Sequence, residues 1–260
     1  IIFAPVRISI EIFKSLGFAT IRFRESSSFE VPNDIQFQRI FVSHYTHAQI
    51  PSSPDVFFDQ LPSKNDIIFY HNNTLLSRRE IFHKLRQGKY RDNILITSKS
   101  LGIWQTLQLQ ICNLHVAMNM LKASLKMRLF TPLEKKILIG ASISQVSRQT
   151  IANQVNLSRL DALLTQNKAT SLVITLEGHA FESLYIELIH TKYPEVQLLA
   201  YQHAPIVPDQ FGLMRNLLKL RTNDVVLSSG EITRDFFASL GLTATVRLLG
   251  SPKWQPLSRA

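Results

Sequence analysis

The residues best equipped for chemistry fall in four short segments of the second half of the chain. Glu177-Gly178-His179, with Glu182 just beyond, comes first, and Gln202-His203-Ala204-Pro205 second. Ser228-Ser229-Gly230-Glu231 and Gly250-Ser251-Pro252-Lys253 follow. Glutamate and histidine can be tuned toward neutral pH, so Glu177, His179 or His203 can take a proton from an attacking hydroxyl. His203 can equally serve as a hydrogen-bond donor. Ser229-Gly230 suits a helix start, where free backbone N–H groups can hold a phosphate. Glu182, Gln202, Ser228, Glu231, Gly250 and Ser251 are candidate substrate contacts, and Lys253 adds a positive charge. Each group also has a structural reading. Glu177 can favour the start of the next helix, the histidines can be hydrogen-bonded parts of the scaffold, and a serine can cap a helix with Gly230 easing the turn. Gly250-Ser251-Pro252 can be a plain turn at a strand end. The case for chemistry is that all four segments come at corresponding places in a repeating pattern.

That pattern is an alternation of apolar runs and helical periodicity. Ser171–Leu176, Val196–Tyr201, Asp224–Leu227 and Thr245–Leu249 are short, apolar and partly β-branched, as strands buried on both faces are. Between them lie Glu177–Lys192, closed by Pro194, then a loop with a basic helix-like segment, then Glu231–Leu240, stopped by Gly241. Strand, helix, strand implies crossover connections and a parallel sheet with flanking helices, an α/β fold. In such sheets ligands bind outside the carboxyl ends of the strands. The four segments sit at those ends.

The first half reads less sharply. Residues 1–75 read as mixed strands and loops, with β-rich pieces at Ile40–Val42 and Asp66–Tyr70. Leu75–Leu85 reads as a helix, Asn93–Thr97 as a short buried strand, and 103–130 as one or two helices. Leu114, Met118, Leu121 and Leu125 recur at helical spacing, which suits a core stripe better than a membrane-facing one. Thr131-Pro132 marks a helix start, and a helical stretch runs from Leu133 toward Leu164.

The chain has 260 residues, 45% of them hydrophobic, enough for a substantial core. Cys112 is the single cysteine, so no intrachain disulfide forms, which fits a cytoplasmic setting. No charged residue occurs between Lys99 and Lys122, but Gln105, Gln108, Gln110, Asn113, His115 and Asn119 argue against a membrane span. No metal-binding pattern of His or Cys is present, and no metal or other cofactor is expected. The net charge is +10. Residues 1–150 hold 19 Lys and Arg against 10 Asp and Glu, so the basicity belongs to the first half. It is densest at Arg78, Arg79, Lys84, Arg86, Lys89 and Arg91, which either form a solvated helix face or attract an anionic surface.

The ordered motifs Thr175–Glu182, Ala200–His203, Pro208–Gln210, Ser228–Phe237 and Leu249–Trp254 together resemble a family of bacterial surface carbohydrate biosynthesis proteins. The likeness covers roughly residues 133–254. Members of that family look like glycosyltransferases of the two-domain Rossmann-like, or GT-B, architecture, acting in the making of O-antigen, lipopolysaccharide or capsule. The resemblance implies that residues 1–250 form the N-terminal, acceptor-side half of such an enzyme, with 171–250 as its clear βαβ units. It implies a nucleotide-sugar donor as substrate and a lipid-linked or saccharide acceptor. Gly250-Ser251-Pro252 would open the passage into a donor-binding domain absent from this chain, leaving the chain by itself inactive. The basic segment would then meet a lipid diphosphate at the inner face of the cytoplasmic membrane.

Two other functions fit parts of the sequence. A sugar-nucleotide epimerase shares strand-end His and Gly-Ser-Pro features and needs no acceptor. A non-catalytic basic module would bind membrane or nucleic acid, but the basic segment lacks the interleaved aromatics of nucleic-acid binders, so no nucleic-acid partner is expected.

Overall fold

The computed structural model describes residues 4–21, 37–45, 65–72, 94–97, 103–126, 130–204, 206 and 210–250. The expected helix Leu75–Leu85, the basic residues Arg78, Arg79, Lys84, Arg86, Lys89 and Arg91, and Ser251, Pro252 and Lys253 lie outside the described residues. The chain forms two compact units. One comprises residues 1–28 and 98–156, the other residues 29–97 and 157–260.

The second unit is built on a sheet of seven strands: β1 (Arg39–Tyr45), β2 (Asp66–Asn72), β3 (Ile94–Thr97), β4 (Ser171–Thr175), β5 (Gln197–Gln202), β6 (Val225–Ser228) and β7 (Thr245–Leu248). Their order is β3-β2-β1-β4-β5-β6-β7, and every pairing is parallel. The chain therefore has the expected α/β, Rossmann-like parallel sheet. The four apolar runs of the second half became β4 to β7, and the β-rich pieces of the first half became β1, β2 and β3. Every residue of β4 is buried, those facing either side of the sheet alike. Edge strand β7 is mostly exposed. At the amino ends of the strands, Arg39 grips Asp66 through two hydrogen bonds of 2.8 and 2.6 Å and pins the β1–β2 register.

Three helices follow strands of this sheet: α5 (Ala180–Lys192), α6 (Phe211–Leu217) and α7 (Glu231–Ser239). Phe181, Tyr185, Ile186 and Ile189 of α5, Leu213 and Leu217 of α6, and Phe237 of α7 pack on Leu172, Ile174, Leu198, Ala200 and Val226. Leu160, Leu163 and Leu164 join the same core from the end of α4 (Arg148–Gln166).

The helical unit contains α1 (Ala4–Ile21), α2 (Ile103–Lys126), α3 (Pro132–Gln145) and the first residues of α4. The helix at Ala4–Ile21 departs from the mixed strands and loops expected there. Val6, Ile8, Ile10 and Ile12 alternate like a strand, but Ala4, Ile8 and Ile12 are also four apart. Ala4 and Ile8 are buried, and Ile12 packs against the small core made by Ile8, Ala117 and Val146. Residues 103–126 form one helix. The helical stretch after Pro132 breaks in two at Val146-Ser147, where the Ser147 hydroxyl accepts the Thr150 N–H at 3.3 Å and starts α4. Thr131 and Glu134 close a reciprocal capping box on α3, with Pro132 in the first turn as expected.

The stripe on α2 is only partly core. Leu121 is buried and Leu114 packs on the small core, but Met118 and Leu125 are exposed. The buried line runs instead through Gln110, Asn113, Ala117, Leu121 and Ser124. Asn113 exchanges amide hydrogen bonds of 2.9 Å with Gln154 and accepts a third, of 3.0 Å, from Gln145. Polar side chains can take core positions here because their hydrogen bonds are made within the unit.

Candidate active site

The strand order reverses direction between β1 and β4, which makes the carboxyl end of β4 the topological switch point of the sheet. The loop after β4 is Glu177-Gly178-His179. His179 Nε2 lies 3.1 Å from Glu177 Oε2, and His203 Nε2, arriving from the end of the neighbouring strand β5, lies 2.5 Å from Glu177 Oε1. One carboxylate thus holds two imidazoles. Burial alone pushes the Glu177 carboxyl up, but the hydrogen bonds and charges of His179 and His203 outweigh it and hold it at about 2, against an ordinary 4.5. The hydrogen bond to Glu177 raises the His179 pKa in return, with burial opposing and the Glu182 charge adding to the rise. His179 is half-exposed, His203 more enclosed.

The loop is held in place by the carboxylate of Glu182. Glu182, fully buried in the first turn of α5, accepts the N–H groups of Glu177 (2.8 Å), Gly178 (2.8 Å) and His179 (3.0 Å). Asn216 of α6 donates a fourth bond to Glu182, at 2.9 Å, and another to the His179 carbonyl, at 3.2 Å. Burial drives the Glu182 pKa up while these donors pull it down. All four partners offer hydrogens, so the ionised carboxylate is the form that satisfies them. Gly178 sits at φ +91°, and a Cβ there would meet the backbone nitrogen of Leu213 and, at 2.8 Å, the carbonyl carbon of Gly212. A Cβ on Gly212 would in turn stand 2.5 Å from the Gly178 oxygen. Two glycines therefore let α6 press directly on the loop.

Aromatic side chains back the cluster. Phe181 stacks on His179 with centroids 5.5 Å apart and meets His71, at the end of β2, edge-on at 5.0 Å. His71 Nε2 is 2.6 Å from the Tyr185 hydroxyl, and both residues are buried. Burial pushes the Tyr185 phenol well above its usual range.

The other expected site residues take several places. Gln202 is buried; its Nε2 donates to the Ala204 carbonyl at 2.8 Å, and its Oε1 has no hydrogen-bond partner among the described residues. Ser228 is buried in β6, with its hydroxyl 3.4 Å from the Arg247 carbonyl. The Ser229 N–H is taken by the Gln202 carbonyl at 3.0 Å, which draws the third strand end against the second. Gly230 is the N-cap of α7 and gives that helix no side-chain cap, while Glu231 stands exposed in its first turn. Gly250 lies at φ +85° after β7, and its carbonyl accepts the Tyr201 hydroxyl at 3.4 Å. The structure thus joins Glu177, His179 and His203 directly and places Glu182 beneath them as the anchor of their loop. Ser229 and Gly230 lie one strand further along the same edge.

Sequence reasoning missed Asn216, Gly212 and His71, and held Phe181 only as part of the Thr175–Glu182 motif. Of the three missed residues, Gly212 alone carried a signal, a glycine at the head of a helical segment. Another pair, His190 and Asp224 at 2.8 Å, lies buried toward the opposite edge, where the Asp224 carboxylate also accepts the Arg221 N–H, at 2.6 Å. There the scaffold reading of a histidine applies.

Among the described residues no group of three or more His, Cys, Asp and Glu is arranged to hold a metal ion, and no helix is long and apolar enough to cross a membrane. Fold and strand-end cluster together define the class, a Rossmann-like α/β protein with a candidate site at the switch point of its sheet. Comparison of the chain with protein-family models, curated proteins and solved structures returns no match.

Proposed function

We propose that the chain carries the acceptor side of a glycosyltransferase of bacterial surface polysaccharide synthesis, using a nucleotide sugar as donor and a lipid-linked or saccharide acceptor. The observation that carries this reading is the Glu177 carboxylate shared by His179 and His203 at the switch point. An acceptor hydroxyl attacks the anomeric carbon. The new C–O bond forms as the bond from sugar to diphosphate breaks, and the electron pair leaves on the phosphate oxygen. The hydroxyl proton passes to an imidazole of the cluster. A carboxyl with a pKa near 2 is a poor base at neutral pH, so Glu177 orients the imidazoles and stabilises the imidazolium that forms. The N-terminus of α7, capped only by Gly230, offers backbone donors for the leaving diphosphate. The basic segment Arg78–Arg91 suits an acceptor anchored by a lipid diphosphate at the inner face of the cytoplasmic membrane.

The test, on an enzyme that joins this chain to a donor-binding domain, is transfer of labelled sugar from a panel of nucleotide sugars, with and without polyprenyl-diphosphate-linked saccharide. Transfer that needs the acceptor and falls about 100-fold or more in His203→Ala and His179→Ala supports the reading. Full activity in both variants would remove the cluster from the chemistry, and isomerised donor formed without acceptor would point to an epimerase.

A further inference from the structure

The helical unit carries a surface that the candidate site does not use. Sixteen large apolar side chains stay exposed among the described residues, and ten of them lie in this unit, the smaller of the two. On α2 they form a line. Trp104, Ile111, Met118 and Leu125 are seven residues apart, with exposures of 79, 67, 38 and 55%. A seven-residue spacing keeps side chains on one slowly turning stripe of a helix, here over its whole length of about 36 Å. A neighbouring face of the helix is already committed to α3 and α4 through Gln110 and Asn113. The stripe is therefore additional to the packing of the unit.

Charge decides what can cover it. Helix α2 contains no acidic residue, and its two charged groups, Lys122 and Lys126, are exposed near its last turn. Across residues 4–21, 103–126 and 130–156 there are seven basic residues against Glu11 and Glu134, a net charge of +5. A second copy of the unit would bring like charge against like charge, and an anionic surface would not. A stripe of Trp, Ile, Met and Leu bordered by lysines is the composition of a helix lying in a lipid headgroup layer. The apolar side chains enter the acyl boundary, and the lysines reach back to the phosphates.

We propose that α2 docks the helical unit on the surface of a bilayer rich in anionic phospholipid, through Trp104, Ile111, Met118 and Leu125. This inference does not rest on sugar transfer. A failed transfer assay leaves it standing, and failed docking leaves the transfer reading standing.

The experiment is co-sedimentation of the chain with vesicles of neutral phosphatidylcholine, and with vesicles containing about 30 mol% phosphatidylglycerol. Emission of Trp104 is followed in a Trp254→Phe background. The expected result is binding to the anionic vesicles, weakened by salt, with a blue shift of Trp104 as it leaves water. Ile111→Asp/Leu125→Asp should weaken binding about tenfold or more, and Lys122→Glu/Lys126→Glu should remove the preference for anionic lipid. Both pairs change exposed positions, and circular dichroism confirms that the helices persist. Unshifted Trp104 emission in the presence of anionic vesicles, or binding that survives Ile111→Asp/Leu125→Asp, overturns the proposal. So does a concentration-dependent dimer that the aspartates abolish, which would assign the stripe to a second copy.

Discussion

The two units solve the problem of burial in opposite ways. The sheet unit puts Leu172, Ile174, Leu198 and Val226 inside and brings Glu177, His179 and His203 together at the carboxyl ends of its strands. The helical unit buries Gln110, Asn113 and Ser124 and leaves Trp104, Ile111 and Leu125 outside. In the first, apolar burial supplies rigidity and the polar groups are free to be placed for chemistry. In the second, an amide network fixes how the helices meet, and the apolar side chains are free to meet something else. The difference teaches that exposed polarity and exposed apolarity both mark a surface with work to do, provided the rest of the unit is packed without them.

If tight backbone packing is what places the site, the largest effect should come from Gly178. Gly178→Ala forces a side chain into a backbone conformation at φ +91° and onto the backbone of Leu213 and Gly212. Neither obstacle is a flexible side chain that can swing aside. The expected loss is about 3 kcal/mol or more of stability, read as a lower denaturation midpoint in urea. Gly212→Ala should act in the same direction. A variant as stable as the parent would mean that the loop after β4 is not held against α6 in solution.

Much of this arrangement was legible in the sequence, for physical reasons that also explain the rest. Strands β4 to β7 announced themselves because strands buried on both faces must be nearly continuous apolar runs. Their carboxyl ends then point to Glu177, His179 and His203. Thr131-Pro132 gave away the start of α3 because its capping box is local. Helix α1 was hidden by the alternation of Val6, Ile8, Ile10 and Ile12, a period that packing on Ala117 and Val146 overrides. Glu182 reads from sequence as a substrate contact because the donors that claim it include Asn216, thirty-four residues away. Only its bond to the His179 N–H, three residues back, follows the local pattern of a helix start. The amide network around Asn113 was invisible for the same reason, since Gln154 lies forty-one residues on.

An intermediate effect should appear on acidification. The Glu177 carboxyl has its pKa lowered to about 2 from 4.5 in the folded chain, so it contributes stability above pH 4.5 that is lost as pH falls toward 2. The full shift corresponds to about 3 kcal/mol, and partial exposure reduces it to the order of 1–2. His179 works from the other side. Its raised pKa adds stability below the ordinary histidine value of 6.5, lost as pH rises through the shifted one. Glu177→Gln should therefore be less stable than the parent near neutrality by about 1–2 kcal/mol, with the gap closing between pH 4.5 and 2. Urea denaturation across that range measures it. A constant gap would show that the two imidazoles do not hold the carboxylate, and the contrast between the units would lose its polar half.

The smallest effect, and of opposite sign, belongs to the helical unit. Gly140 lies exposed within α3, and a Cβ there would meet nothing within 4 Å. The backbone at Gly140 needs no left-handed conformation, in contrast to Gly178. Alanine restricts the unfolded chain and favours the helix, so Gly140→Ala should stabilise the unit by about 0.5–1 kcal/mol. Thermal melting followed at a helix-sensitive wavelength would show a slightly higher midpoint. The same chemical change thus has opposite consequences in the two units, because one glycine lies against backbone and the other faces solvent. If Gly140→Ala instead destabilises, the outer face of α3 is not open to solvent at Gly140.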